Sequence, residues 1–313
     1  MINEFKGIVH IGYEREHYFR GRDQILINPG YGRGVLETGS ASSFEHKVRQ
    51  LERLIEAKIA LPLGSVTEEG GMKCAPLTKR DLKCRYSHHE FVEDDGGFRH
   101  LTVGIGPTVW HECMQDYNRS EKESALLQEL GFKQLEDHVR GPGFYFSQGL
   151  GAAMLTLTLE GDVVVGIRKS DLYDGAIHGA AGWMTFDSNL TKVHPENDAR
   201  RELEEELGVR REDIIYLRML GLVAHSKTLE ADFVYVAKTT KEKGYFTTDA
   251  WMGAVDAREH RELVVLSNPD EIGRLLENGK IPGSDLKQYE VLAPTYYGLD
   301  IMMKYWGRFH GTK

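Results

Sequence analysis

The run Ala199-Arg200-Arg201-Glu202-Leu203-Glu204-Glu205-Glu206-Leu207-Gly208-Val209 decides how this chain is read. A helix turns about 100° per residue, so Glu202, Glu205 and Glu206 fall within one arc of roughly 100°. Ala199, Leu203 and Leu207 share a neighbouring arc that can face a core. Gly208 stands where such a helix would end. Glu202 and Glu206 are like charges four apart, which costs an isolated helix a few tenths (~0.3) of a kcal/mol. A bound divalent cation would turn that repulsion into coordination.

A Glu-rich helix is commonly just a solvated face, and Arg200–Glu204 and Arg201–Glu205 have the spacing of ordinary surface pairs. The order of the residues argues for more. Arg201-Glu202-Leu203-x-Glu205-Glu206-x-Gly208-Val209 matches, position for position, the Arg-Glu-apolar-x-Glu-Glu-x-Gly-apolar half of the Nudix box. The chain therefore resembles the Nudix hydrolase superfamily. The other half of the box is off register: the expected glutamate and glycine positions fall on Val193 and Asp187, while Gly179, Gly182 and Glu196 lie nearby. Either the loop from Gly182 to His194 carries an insertion, or the upstream glutamate is absent.

The resemblance implies an α/β fold, a Nudix α/β/α sandwich with a mixed β-sheet over about residues 150–305, preceded by an N-terminal α+β extension. It implies Glu202, Glu205 and Glu206 as ligands for Mg2+ or Mn2+, with Glu205, Glu206 and Arg201 in the catalytic set. Arg201 is expected to brace the helix and orient a carboxylate. A further loop carboxylate serves as ligand or general base in such enzymes, and Glu230, Glu259 and Glu262 are the candidates here. Arg168, after a predicted strand, could reach a phosphate. His225 and His260 stand near strand ends as candidate bases, each weighed against an ordinary surface histidine.

Composition frames this site. With 313 residues, 41% hydrophobic and 28% charged, the chain reads as a soluble globular protein of two domains, divided at 1–145 and 146–313. A net charge of −9 argues against a general nucleic-acid surface or an anionic-membrane surface. No early apolar stretch resembles a signal peptide, and no run approaches the ~18 apolar residues of a membrane span. The cytoplasm is the expected location. Cys74, Cys84 and Cys113, an odd number, are then expected to be reduced and unpaired. Cys74 and Cys84 with His88 and His89 lack the tight CxxC spacing of a structural zinc site.

Along the chain, a strand is expected at 7–12. The Gly-rich run 28–34 reads as a surface loop, since it lacks the order of a phosphate loop. A helix follows from Ser42, with Phe44, Val48, Leu51, Ile55 and Ile59 on one stripe. Polar residues 65–98 read as loops, 100–105 as a strand, and Ser120 caps a short helix ending at Gly131. Gly141-Pro142-Gly143 marks the domain boundary. Strands at 152–159 and 163–168 form a hairpin, and a loop runs on to Pro195. Beyond the acidic helix come strands at 214–223, 232–237 and 262–266. A helix with Ile272, Leu275 and Leu276 inward follows between Pro269 and Gly279. A last helical region, interrupted near Pro294, carries Leu299, Met302 and Trp306.

A narrower resemblance reaches outside the acidic helix. Ile105-Gly106-Pro107-Thr108-Val109-Trp110 followed by Asn118, Gly149–Ala153, Arg168-Lys169-Ser170 and Glu230–Val236 are similar in order to segments of the superfamily's UDP-glucose/UDP-galactose diphosphatases. This implies a nucleotide diphosphate as the small-molecule partner, a UDP-sugar giving UMP and sugar 1-phosphate, with residues 1–145 framing the pocket. It leaves room for a homodimer. ADP-ribose, a dinucleotide or a nucleoside triphosphate is the alternative substrate, and a non-catalytic nucleotide-sensing Nudix module is the alternative outside enzymes.

Overall fold

A computed structural model describes residues 3–5, 8–11, 25–28, 65–68, 71–74, 82–93, 99–109, 149–169, 173–185, 194–225, 230–283 and 287–310. In order, the strands before the hairpin are β1 (Asn3–Phe5), β2 (Ile8–Ile11), β3 (Ile25–Asn28), β4 (Ser65–Glu68), β5 (Gly71–Cys74), β6 (Leu82–Glu93) and β7 (Arg99–Val109). Then come β8 (Leu150–Leu157), β9 (Val163–Arg168), β10 (Ile177–His178), β11 (Ala180–Trp183), helix α1 (Pro195–Leu207), β12 (Ile214–His225) and β13 (Ala231–Thr239). The chain continues through α2 (Lys243–Thr247), β14 (His260–Leu266), α3 (Pro269–Asn278), α4 (Ala293–Lys304) and α5 (Trp306–His310).

The main sheet runs β1-β2-β12-β13-β8-β9-β10, with β11 added to β8 and β14 to β9. It is mixed, because β13 pairs parallel to β8 while its other neighbours are antiparallel. Alternation along the strands builds two cores. Ala152 and Met154 of β8 and Phe233, Tyr235 and Ala237 of β13 pack with Ala199, Leu203 and Leu207 of α1. Leu155, Leu157, Val234 and Val236 face the other way, against Ile272 and Leu275 of α3 and Leu299 and Met302 of α4. A helix thus covers each face of a mixed sheet, the α/β/α layering expected from the resemblance.

β8 and β9 pair only near their hairpin turn, at Thr156–Val164 and Leu157–Val163. They then part. β8 takes β11 as its neighbour, and β9 takes β14 and β10. The parting places β11, β14 and α1 around one point.

Three expectations change. Residues 65–98 are not all loop: β4 and β5 form a hairpin, and β6 pairs antiparallel with β7. Among the described side chains of β6, Cys84 and Tyr86 are buried in the core beneath α1. Polar neighbours such as Lys83, Arg85, His88 and His89 hide that two-residue alternation. The loop expected up to Pro195 contains β10 and β11, which are too short and too small-sided to show a period. Pro294 does not interrupt a helix; it sits in the first turn of α4, where a missing N–H costs nothing. The expected helices from Ser42 and Ser120, and the boundary at Gly141-Pro142-Gly143, lie outside the described residues.

Candidate active site

Helix α1 starts on Pro195, and its last turn closes at Gly208, whose φ of 66° is readily adopted by glycine. Gly208 N–H donates to the Glu204 carbonyl at 3.0 Å. With the apolar arc of α1 fixed in the core, the acidic arc is held against β11. Glu206 Oε1 accepts the Ala181 N–H at 3.0 Å. A side chain on the next residue, Gly182, would collide with the Glu202 carboxylate. Gly182, off register in the sequence, therefore lies directly against a helix glutamate.

The charges then pair. Arg201 donates at 2.6 Å both to Glu205 Oε2 and to Glu202 Oε1, and at 3.3 Å to Asp198 Oδ1. One guanidinium thus holds three carboxylates of the same helix. Burial pushes the Glu202 carboxyl up to about 7; Glu206 and Glu205 add repulsion, and Arg201 opposes both. Glu206 Oε2 lies 2.6 Å from His260 Nε2, with both side chains 1% exposed. Glu205, by contrast, is 34% exposed.

The other sequence candidates divide. Arg168, the last residue of β9, lies 3.6 Å from Glu259 Oε2 and donates from Nη1 to His178 Nδ1 at 3.1 Å. Burial drives the His178 pKa well below its ordinary value, and the Arg168 charge adds to this. The ring is then a neutral acceptor for the guanidinium. Burial raises the Glu259 carboxyl, and Glu206 repels it further. Glu259 thus stands in the field of the acidic helix with Arg168 beside it, and sequence reasoning missed His178. Glu230 is buried at the head of β13, where its charge helps raise Tyr173 after burial. Glu262 is exposed on β14. The side chain of His225 lies outside the described residues.

Among the described residues no group of three or more His, Cys, Asp or Glu side chains is arranged to hold a metal. Glu202 and Glu205 are turned to Arg201, and Glu206 to His260. The donor set nevertheless suits a hard cation: the ligands are oxygens only, and Glu205 and Glu206 crowd the Glu202 carboxylate. Cys84 is free and buried, with its Sγ toward the Thr185 carbonyl at 3.5 Å. No described helix is long and apolar enough to cross a membrane.

Asp232 of β13, packed against Gly151, supplies a separate test of the fold. Burial pushes its carboxyl from 3.8 up to about 7. A carboxyl raised in the folded state costs stability as pH rises from its unfolded to its folded value. Asp232→Asn is expected to remove that decline between about pH 4 and pH 7. Because the side chain keeps some contact with solvent, the gain at pH 8 should be on the order of 1–3 kcal/mol. Thermal melts of the two proteins across pH check this, and parallel curves would refute it.

No family model and no curated protein matches the chain. Solved structures resemble parts of it. A NUDIX-family hydrolase from Clostridium perfringens is 12% identical, covering 51% of this chain and 98% of its own, with a TM-score of 0.29. A MutT/nudix family protein from Enterococcus faecalis is 14% identical, covering 63% and 72%, with a TM-score of 0.32. The NUDIX domain of Shewanella oneidensis NrtR, complexed with ADP ribose, is 15% identical over 38% and 72%, with a TM-score of 0.28. These are likenesses of chain path over part of the sequence.

Proposed function

We propose that the chain is a Nudix-type diphosphatase that hydrolyses the phosphoanhydride bond of a nucleoside diphosphate joined to another group, with a UDP-sugar as substrate. The observation that carries the reading is the convergence of Glu202 and Glu205 on one guanidinium, with Glu202 over Gly182 and Glu206 on the Ala181 N–H of β11. Glu202, Glu205 and Glu206 would hold Mg2+ or Mn2+, with Arg201 giving up its place between the first two. The bound cation supplies charge neutralisation at the phosphoryl oxygens and a more acidic water.

The chain's own residues supply the rest. Arg168, oriented by neutral His178, would face a negatively charged phosphoryl group, and Glu259 beside it would be the loop carboxylate that takes the water's proton. Water's oxygen bonds to one phosphorus, the bridging P–O bond breaks, and the oxygen leaves with the sugar phosphate or the nucleotide. UDP-glucose then yields UMP and glucose 1-phosphate. The choice of a UDP-sugar rests on the short matches, two of which, Gly149–Ala153 and Glu230–Val236, supply the paired strands β8 and β13.

The test is phosphate release, coupled through phosphatase, from nucleotide sugars, ADP-ribose, dinucleotides and triphosphates, with and without Mg2+. Turnover confined to UDP-sugars and abolished by chelation is the expected result. Turnover of another diphosphate would overturn the substrate, and silence with Mg2+-dependent thermal stabilisation would favour a nucleotide-sensing module.

A further inference from the structure

His260 opens β14, and its ring is almost wholly enclosed. Below it lies Gly166 of β9, where any side chain would strike the imidazole. Trp251 meets its edge, with ring centroids 6.4 Å apart at 66°. Nδ1 is buried without a hydrogen-bond partner among the described residues, so the ring's hydrogen bonding is directed at Glu206 alone. Glu206 is held on its other oxygen by the Ala181 N–H. One buried carboxylate is therefore gripped from β11 on one side and β14 on the other, the two strands that flank the parting of β8 from β9.

Ala199, Leu203 and Leu207 hold α1 on the core layer, and the roll of the helix on that layer decides where its acidic arc points. Glu202 lies over Gly182 of β11, where a side chain would strike its carboxylate, so the roll that seats Glu206 on the Ala181 N–H also sets where Glu202 and Glu205 point. We propose that His260 is a positioning residue for α1: seated on the floor left by Gly166, it clamps Glu206 against β11 and so fixes the orientation at which Glu202 and Glu205 face one ligand. This rests on the reading of α1 as a cation site. Outer partners that orient ligating groups alter metal affinity by about 10–100-fold when removed.

The experiment is Mn2+ titration of the full chain, following free Mn2+ by electron paramagnetic resonance, with circular dichroism to report folding. His260→Ala and Gly166→Ala are expected to weaken Mn2+ binding by about 10–100-fold. His260→Gln, whose amide N–H can reach Glu206, should hold it within about threefold of wild type, well short of that loss. A merely structural histidine would give lower melting temperatures in all three variants with no split in affinity between Gln and Ala. Should His260→Ala fail to fold, Gly166→Ala and His260→Gln carry the comparison. Unchanged Mn2+ affinity in the folded variants overturns the positioning role and leaves the cation site standing. A wild-type chain that binds no Mn2+ overturns both.

Discussion

Glu205→Gln is expected to lower kcat by about 10²–10³ while leaving the fold intact, the scale seen when one preorganised electrostatic group is removed from an active site. The substitution keeps volume and hydrogen-bonding shape and removes one negative charge. Glu205 is 34% exposed and its ion pair with Arg201 lies at the surface, so stability should change by less than about 1 kcal/mol. Neighbouring Glu204 is exposed on the same helix and serves as the control, since Glu204→Gln should change neither quantity. Steady-state kinetics and thermal melts of the pair decide the matter. Full activity in Glu205→Gln would remove the helix carboxylate from the mechanism.

Phe233→Ala should produce the largest loss of stability. Phe233 is fully buried in the layer between the sheet and α1, alongside Ala199 and Leu203. Truncating a phenylalanine in such a site costs about 3–5 kcal/mol, the transfer of the ring plus the cavity left behind. For a domain of this size that corresponds to a fall in Tm of roughly 6–20 °C. Because α1 rests on the same layer, loosened seating should also weaken the cation binding proposed for Glu202, Glu205 and Glu206. A fall of less than about 2 °C would mean that the ring is not part of a packed core.

The elements legible in the sequence are those whose signal is local. The acidic helix announces itself through Ala199, Leu203 and Leu207 at helical spacing and Gly208 at the end. Helix α3 does so through Pro269, Gly279 and three inward apolar residues. Its N-cap, where the Asn268 side chain accepts the Glu271 N–H, completes the pattern. What stayed hidden depends on residues far apart in the chain. β11 is Ala-Ala-Gly-Trp, a composition with little strand preference, and it exists because β8 offers it a partner. Likewise, nothing near His260 or His178 in sequence points to Glu206 or Arg168. In the sequence Gly166 is one more residue of an expected strand and Gly182 an off-register glycine, whereas both leave room, for a ring and for a carboxylate.

The parallel pairing of β8 with β13 also bears on how the molecule is made. Leu150 meets Ala231 only after roughly eighty intervening residues have been synthesised, and Ile8 of β2 must wait far longer for His225 of β12. Closing such long segments orders the chain before any contact rewards it, so a topology of this kind folds slowly. Until β13 emerges, the apolar strand β8 has one long edge without its final neighbour, a template for unwanted association with other chains. Yield from the ribosome should therefore depend on protection of that edge during synthesis, and a shorter path between the two strands, as in a circular permutant, would shorten the exposure.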